Sequence, residues 1–157
     1  MRLIREFVFA STLTLAAGFC IATAHSHEVK IGDIEIIHPW SRQPLPAAKS
    51  AAGYFTIVNA GKTDDRLIKV TATISDNIQI HEMSMDNGVM KMGELTSGIA
   101  IPAGGKVELK PSSFHIMFMD LKERPIEGTA FEGTLTFEKA GTVNVVYEVA
   151  APDAGMN

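Results

Sequence analysis

From about residue 29 onward the chain is a succession of short segments in which apolar and polar positions alternate with a period of two. "VKIGDIEIIHPW", "AAGYFTIVNAG", "DRLIKVTATI", "NIQIHEM", "KVELK", "FHIMFMDL", "FEGTLTFEKAG" and "TVNVVYEVA" are rich in Val, Ile, Thr, Phe and Tyr. Successive side chains of a strand point to opposite faces, so this alternation predicts strands with one face buried. Asn59-Ala60-Gly61, Asp86-Asn87-Gly88, Pro102-Ala103-Gly104-Gly105, Lys110-Pro111-Ser112-Ser113 and Ala140-Gly141 supply turn chemistry between them. Seven or eight short strands without an amphipathic helix predict an all-β domain, a β-sandwich or Greek-key barrel. "RQPLPAAKSAAG" is the longest irregular piece and is expected to be a surface connection, and residues 152–157 a flexible tail.

The start of the chain has a different character. Arg2 and Arg5 form a basic start, Phe7 to Ala22 a largely apolar stretch, and Ala22-Thr23-Ala24 an A-x-A cleavage signal, the layout of a secretory signal peptide over residues 1–24. Ser11, Thr12 and Thr14 interrupt the stretch, which is short for a spanning helix, and no later segment is expected to span a bilayer. Phe19 stands where lipoprotein signals carry a small residue, which argues against lipidation of Cys20. Cleavage after Ala24 leaves residues 25–151 as one domain plus the tail, and it removes Cys20, the only cysteine. Disulfide, zinc-thiolate and thiol-nucleophile readings then fall away. Arg2, Arg5 and Glu6 leave as well, so the 14 basic and 18 acidic residues of the full chain become 12 and 17. Nothing basic remains for nucleic acid or an anionic membrane to grip.

Methionine changes the picture most. Six of the eight methionines, Met83, Met85, Met90, Met92, Met117 and Met119, fall in one third of the domain together with His81 and His115. Thioether sulfur is a soft neutral donor and imidazole a borderline one, a mixture that suits Cu(I) and suits magnesium, calcium or zinc poorly. Period two puts His115, Met117 and Met119 on one face of their strand, His81 and Met83 on one face of theirs, and Met90 with Met92. Taken alone, "FHIMFMDL" is ordinary core packing, because methionine fills gaps in cores. "HEMSMDNGVMKM" reverses that balance: Glu82, Ser84, Asp86, Asn87, Gly88 and Lys91 make it a solvated hairpin or loop, where methionine has little packing reason to be. A four-ligand Cu(I) site of two histidines and two methionines is easily assembled from these segments.

His81 is followed by ten residues and Met92, then by twenty-two residues and "HIM", His115 to Met117. That spacing, with "PWSR", "AAGYFTIVN", "DRLIKV", "IHEM", "GVMKM", "IPAGGKVELKP" and "LTFEKAG" in order, resembles the periplasmic copper chaperone family PCu(A)C over nearly all of the mature chain. The resemblance implies a cupredoxin-like Greek-key β-sandwich that binds one Cu(I) through His81, Met92, His115 and Met117, with Met83, Met90 and Met119 as further candidate ligands. It implies delivery of copper to the CuA-bearing subunit of cytochrome c oxidase, alone or alongside Sco-type copper proteins. "SSFHIM" departs from the glycine and tyrosine expected just before the histidine, which bears on the local turn more than on the ligands.

Transfer by ligand exchange follows from such donors, with no redox step in the chaperone; protonating either histidine, with an unperturbed pKa about 6.5, is expected to weaken binding below neutral pH. Cleavage after Ala24 would also begin the mature chain His25-Ser26-His27, where the terminal amine, two amides and the His27 ring suit square-planar Cu(II), and the His25 ring adds a donor. His38 and Trp40 are expected to be a surface residue and an anchor, and Arg42, Asp64, Asp65 and Arg66 turn and surface charges. No arrangement supports catalysis, so a monomeric, non-enzymatic metal carrier is expected. An electron-transfer cupredoxin requires a cysteine ligand, which the mature chain lacks. A periplasmic copper scavenger without a dedicated acceptor needs the same site as a chaperone, and a plain β-sandwich scaffold predicts no metal binding at all.

Overall fold

The computed structural model describes residues 28–156; the signal-peptide segment, Cys20, His25 and His27 lie outside the described residues. Among those described there are eleven strands and no helix: β1 (Glu28–Ile31), β2 (Ile34–Arg42), β3 (Ala51–Asn59), β4 (Asp65–Ala72), β5 (Asn77–Asp86), β6 (Val89–Glu94), β7 (Ile99–Ile101), β8 (Lys106–Leu109), β9 (His115–Met119), β10 (Ala130–Phe137) and β11 (Gly141–Ala150). Three more strands are present than the pattern alone announced. A turn at Gly32, with φ +56°, divides the first segment into β1 and β2. The polar stretch after Asp86 is a paired strand, β6. β7 has three residues, too few to display a period.

The strands form one continuous sheet in the order β6-β5-β9-β3-β2-β11-β10-β4-β7, with β1 added to β2 and β8 to β3. Among the described strands only β2 and β11 pair in parallel. The sheet folds over on itself as a sandwich. Phe118 of β9 meets Phe131 of β10 at 5.4 Å and Tyr147 of β11 at 5.4 Å, although these strands are not ladder neighbours, so the rings touch across the core. Tyr147 stacks on Phe131 at 5.0 Å. A Cβ on Gly53 would lie 2.7 Å from Phe118 Cε2, so only glycine leaves room for that ring beside β3. Ile36, Ile57, Leu67, Ile101, Ile116 and Leu135 complete a dry centre without accessible surface.

Two charges expected on the surface are structural. Asp65 is buried, because its carboxylate accepts from the amides of Arg66, Lys139 and Ala140 at 2.7, 2.9 and 3.0 Å and so closes the β10–β11 turn. Arg42 donates from Nε and Nη2 to the Ala154 carbonyl at 3.0 and 2.6 Å, tying the C-terminal residues to β2. His38 is exposed with φ +51° at a register shift between Ile37 and Trp40. Trp40 is half-buried against Tyr54, with ring centroids 4.6 Å apart.

Candidate metal centre

The β6-β5-β9 end of the sheet carries all six methionines singled out above, and register decides how they meet. β5 is the middle strand. His81 lies directly opposite His115 of β9 on one side and Glu94 of β6 on the other. One step along, Met83 faces Met92, and a further step brings Met85 opposite Met90. In the other direction Gln79 faces Met117 and Asn77 faces Met119. Directly opposed residues share a face and alternate residues share it too. His81, His115 and all six methionines therefore stand on one face of this three-stranded end, the outer one. Ile80, Ile116 and Phe118 occupy the inner face, as the alternation predicts.

His81 is the hub. It is the cross-strand neighbour of His115 and the diagonal neighbour of both Met92 and Met117, a separation of about 7–8 Å between Cα atoms that long side chains bridge. His81 thus has the other three residues of the predicted set as near neighbours, Met92 toward the β6 side and Met117 on the opposite diagonal toward β9, and Met83 is as close along the strand. Met119 is two steps from the histidine pair, which separates it from the set.

The histidines are the closed part of the site, with 9% of His81 and 5% of His115 accessible. Their rings stand edge to face with centroids 5.6 Å apart. An imidazole nitrogen bonds a transition metal at about 2 Å and its centroid lies about 1 Å behind, so two rings on one ion at a tetrahedral angle stand about 5 Å apart. The observed separation is close to that.

Hydrogen bonding settles which nitrogens are free. His115 Nδ1 donates to the Ser113 carbonyl at 3.0 Å, leaving the Nε2 lone pair uncommitted. The Ser113 carbonyl is aimed by a tight turn in which Ser112 takes φ +67°, and the Ser113 amide donates to the Lys110 carbonyl. Serine therefore occupies a left-handed position in the segment where the sequence departs from the family pattern, and the turn before His115 still forms. In His81, Nε2 donates to Gln79 Oε1 at 2.8 Å, and Nδ1 is buried with no partner. A buried lone pair without a donor is expensive, and a metal ion is one group that satisfies it. Burial first, then the neighbouring His115, pushes the His81 pKa below its usual 6.5, with Glu94 opposing, so the ring is held neutral and metal-competent. Gln79 was not singled out in the sequence, although alternation places it two positions before His81 on the same face.

The sulfur donors are the open part. Met117 is half-buried and lines a cavity of about 500 Å³ together with Ala52, Tyr54, Leu45 and the C-terminal Met156. Met92 is 56% exposed and every residue of β6 is exposed. Asn87 and Gly88, with φ of +50° and +80°, form the two-residue turn favoured in hairpins, and the Lys91–Asp86 ion pair bridges the hairpin beside it. Among the described residues no three His, Cys, Asp or Glu side chains come together as a metal cage. The donor set is nitrogen and thioether, which fits a soft monovalent ion.

The model of the LpqE-like lipoprotein family matches residues 34–149. A lipoprotein-named protein of Leifsonia xyli subsp. xyli, Lxx21020, is 28% identical over 151 residues, which span 94% of this chain and 90% of that one. The copper-bound PCuAC domain from PmoF2 is 33% identical with a TM-score of 0.69, over 80% of this chain and 99% of that domain. The Cu(I) form of DR1885 from Deinococcus radiodurans shares the fold at a TM-score of 0.62 and 20% identity, over 85% of this chain and 87% of its own.

Proposed function

Because the chain belongs to the PCuAC, or LpqE-like, family and has its cupredoxin-like Greek-key sandwich, we propose that it is a Cu(I)-carrying copper chaperone rather than an enzyme. The observation that carries this reading is the buried His81–His115 pair, each ring with one uncommitted nitrogen, set beside accessible thioethers. Copper is the cargo. The two imidazoles and the sulfurs of Met92 and Met117 are its ligands, all neutral and none requiring a thiol to lose a proton.

Release follows from the gradient of exposure. An acceptor's incoming ligand displaces exposed Met92 or the cavity-facing Met117 first, and the buried imidazoles let go last, so the ion is never without donors. The copper remains Cu(I) throughout. The acceptor is the CuA-bearing subunit of cytochrome c oxidase, directly or through a Sco-type protein, and the compartment is the periplasm, reached by the signal peptide of residues 1–24. The intact mass of the exported protein tests the cleavage: a chain beginning at His25 supports it and makes the His25/His27 site for Cu(II) available, whereas a lipidated chain beginning at Cys20 overturns cleavage after Ala24 and removes that site.

X-ray absorption on the Cu(I)-loaded protein tests the centre. A mixed nitrogen and sulfur shell that loses one nitrogen in His115→Ala and one sulfur in Met117→Ala is the expected result. A shell indifferent to both substitutions would falsify the assignment. Transfer to a purified CuA domain, followed by the acceptor's own colour after oxidation, separates a chaperone from a scavenger.

A further inference from the structure

The ligand set uses one methionine of the β5–β6 hairpin, yet that hairpin presents four. Met83 faces Met92 and Met85 faces Met90, two successive cross-strand pairs on the same outer face as His81 and His115. Packing does not account for them: Met85 is 67% exposed, Met90 is 48% exposed, and the neighbouring Ser84, Asp86 and Lys91 are exposed as well. Among the described residues β6 is an edge strand paired only to β5, and all of its residues are exposed. A polar residue at these positions would satisfy a solvated hairpin better than methionine does.

We propose that Met83, Met85 and Met90 form a second Cu(I) site, an all-thioether one at the exposed hairpin, that hands its ion to the histidine pair through Met92. This rests on the reading of His81, Met92, His115 and Met117 as the first site. Successive side chains on one face of a strand are about 6.6 Å apart, so each step along the ladder is short enough for the flexible thioethers to share an ion between neighbouring pairs. Neutral sulfur alone holds Cu(I) more loosely than a set that includes imidazole, and the sites are ordered from weak and exposed to tight and buried. An ion therefore enters at the tip and descends in free energy toward His81. No bond beyond metal–ligand exchange changes and no electron moves.

The test is a titration of the mature protein with Cu(I), supplied as its acetonitrile complex under anaerobic conditions, read by native mass spectrometry, by competition with a Cu(I) chelator and by the ε-methyl NMR signals of the methionines. Wild type is expected to bind two equivalents, the second more weakly, with the Met85 and Met90 methyl signals moving only on the second. Met85→Leu is expected to keep the first equivalent and to weaken the second by at least the roughly tenfold that even outer-shell partners of a metal ligand are worth. A wild type that stops at one equivalent, or a Met85→Leu protein that retains both unchanged, overturns the ladder and leaves the first site standing. Binding of no equivalent at all overturns both.

Discussion

Replacing Gln79 by leucine removes a side chain outside the proposed ligand set and should nevertheless loosen Cu(I) binding. Gln79 Oε1 accepts from His81 Nε2 at 2.8 Å and so fixes both the tautomer and the rotation of the ring, leaving Nδ1 as the donor. A neutral hydrogen bond of this kind contributes about 1 kcal/mol net. If that anchorage is spent on keeping the ring aimed, its loss lowers Cu(I) affinity about five- to tenfold, the lower end of what outer-shell partners of metal ligands are worth. The assay is competition against a Cu(I) chelator at pH 7.5, with ¹⁵N shifts of the His81 ring in the apo protein reporting the tautomer. Gln79→Glu supplies the contrast, because a carboxylate accepts the same bond more strongly and affinity should return to the wild-type level or above. An unchanged affinity in Gln79→Leu, with His115→Ala still abolishing binding, would refute the reasoning and show that burial alone orients the ring. Equal weakening in both Gln79 variants would reduce the residue to packing.

Gly53→Ala should destabilise the apo protein by about 1–3 kcal/mol, since its Cβ would lie 2.7 Å from Phe118 Cε2 and 3.2 Å from Tyr147 Cε1 in a close-packed core; a urea midpoint equal to wild type at the same slope contradicts this. Tyr147→Phe should stabilise by about 1 kcal/mol, because the hydroxyl is fully buried without a hydrogen-bond partner, and a fall in the midpoint would count against it. His81 carries a pKa lowered by burial and by His115, so the unfolded chain takes up a proton before the folded one does. The contribution of this ring is accordingly intact above pH 6.5 and is lost as pH falls from there toward the lowered folded value. Urea midpoints measured at pH 7.5 and 5.5 should differ less in His81→Phe than in wild type, and an identical drop in the two proteins would exclude His81 as the cause.

What could be read from the sequence was whatever depends on neighbours along the chain. Alternation in "FHIMFMDL" assigned Ile116 and Phe118 to the core and His115, Met117 and Met119 to the opposite face, because strand geometry fixes that parity for any strand. Asn87-Gly88 likewise announced its own turn. Register was not legible: that His81 faces His115 depends on how Ile80, Ile116 and Phe118 pack in a shared core. Asp65 was misread for a similar reason, since two of its three amide partners lie 74 and 75 positions along the chain. Arg42 is separated from the Ala154 carbonyl by 112 positions. β6 read only as part of a solvated hairpin or loop, because all of its residues are exposed and exposure on both faces erases the alternation by which strands are recognised.

β9 also makes a contrast between adjacent residues that separates folding from binding. Phe118 has no accessible surface and packs against Phe131 and Tyr147, so Phe118→Ala should cost about 3–5 kcal/mol of stability. Met117, on the outer face and half-buried beside an open cavity, can become leucine at nearly constant volume for under about 1.5 kcal/mol. The order of effects reverses for copper. Phe118→Ala keeps all four proposed ligands, so whatever fraction folds should bind Cu(I), and excess metal should raise its melting temperature by mass action. Met117→Leu should melt close to wild type as apo protein yet gain much less from added Cu(I), because a hydrocarbon replaces a proposed sulfur ligand. Thermal melts of the two variants with and without one equivalent of Cu(I) give both numbers in one experiment. If Met117→Leu proves as unstable as Phe118→Ala and gains as much from copper as wild type does, the outer face of β9 is a packing surface, and the sulfur of Met117 is not a ligand.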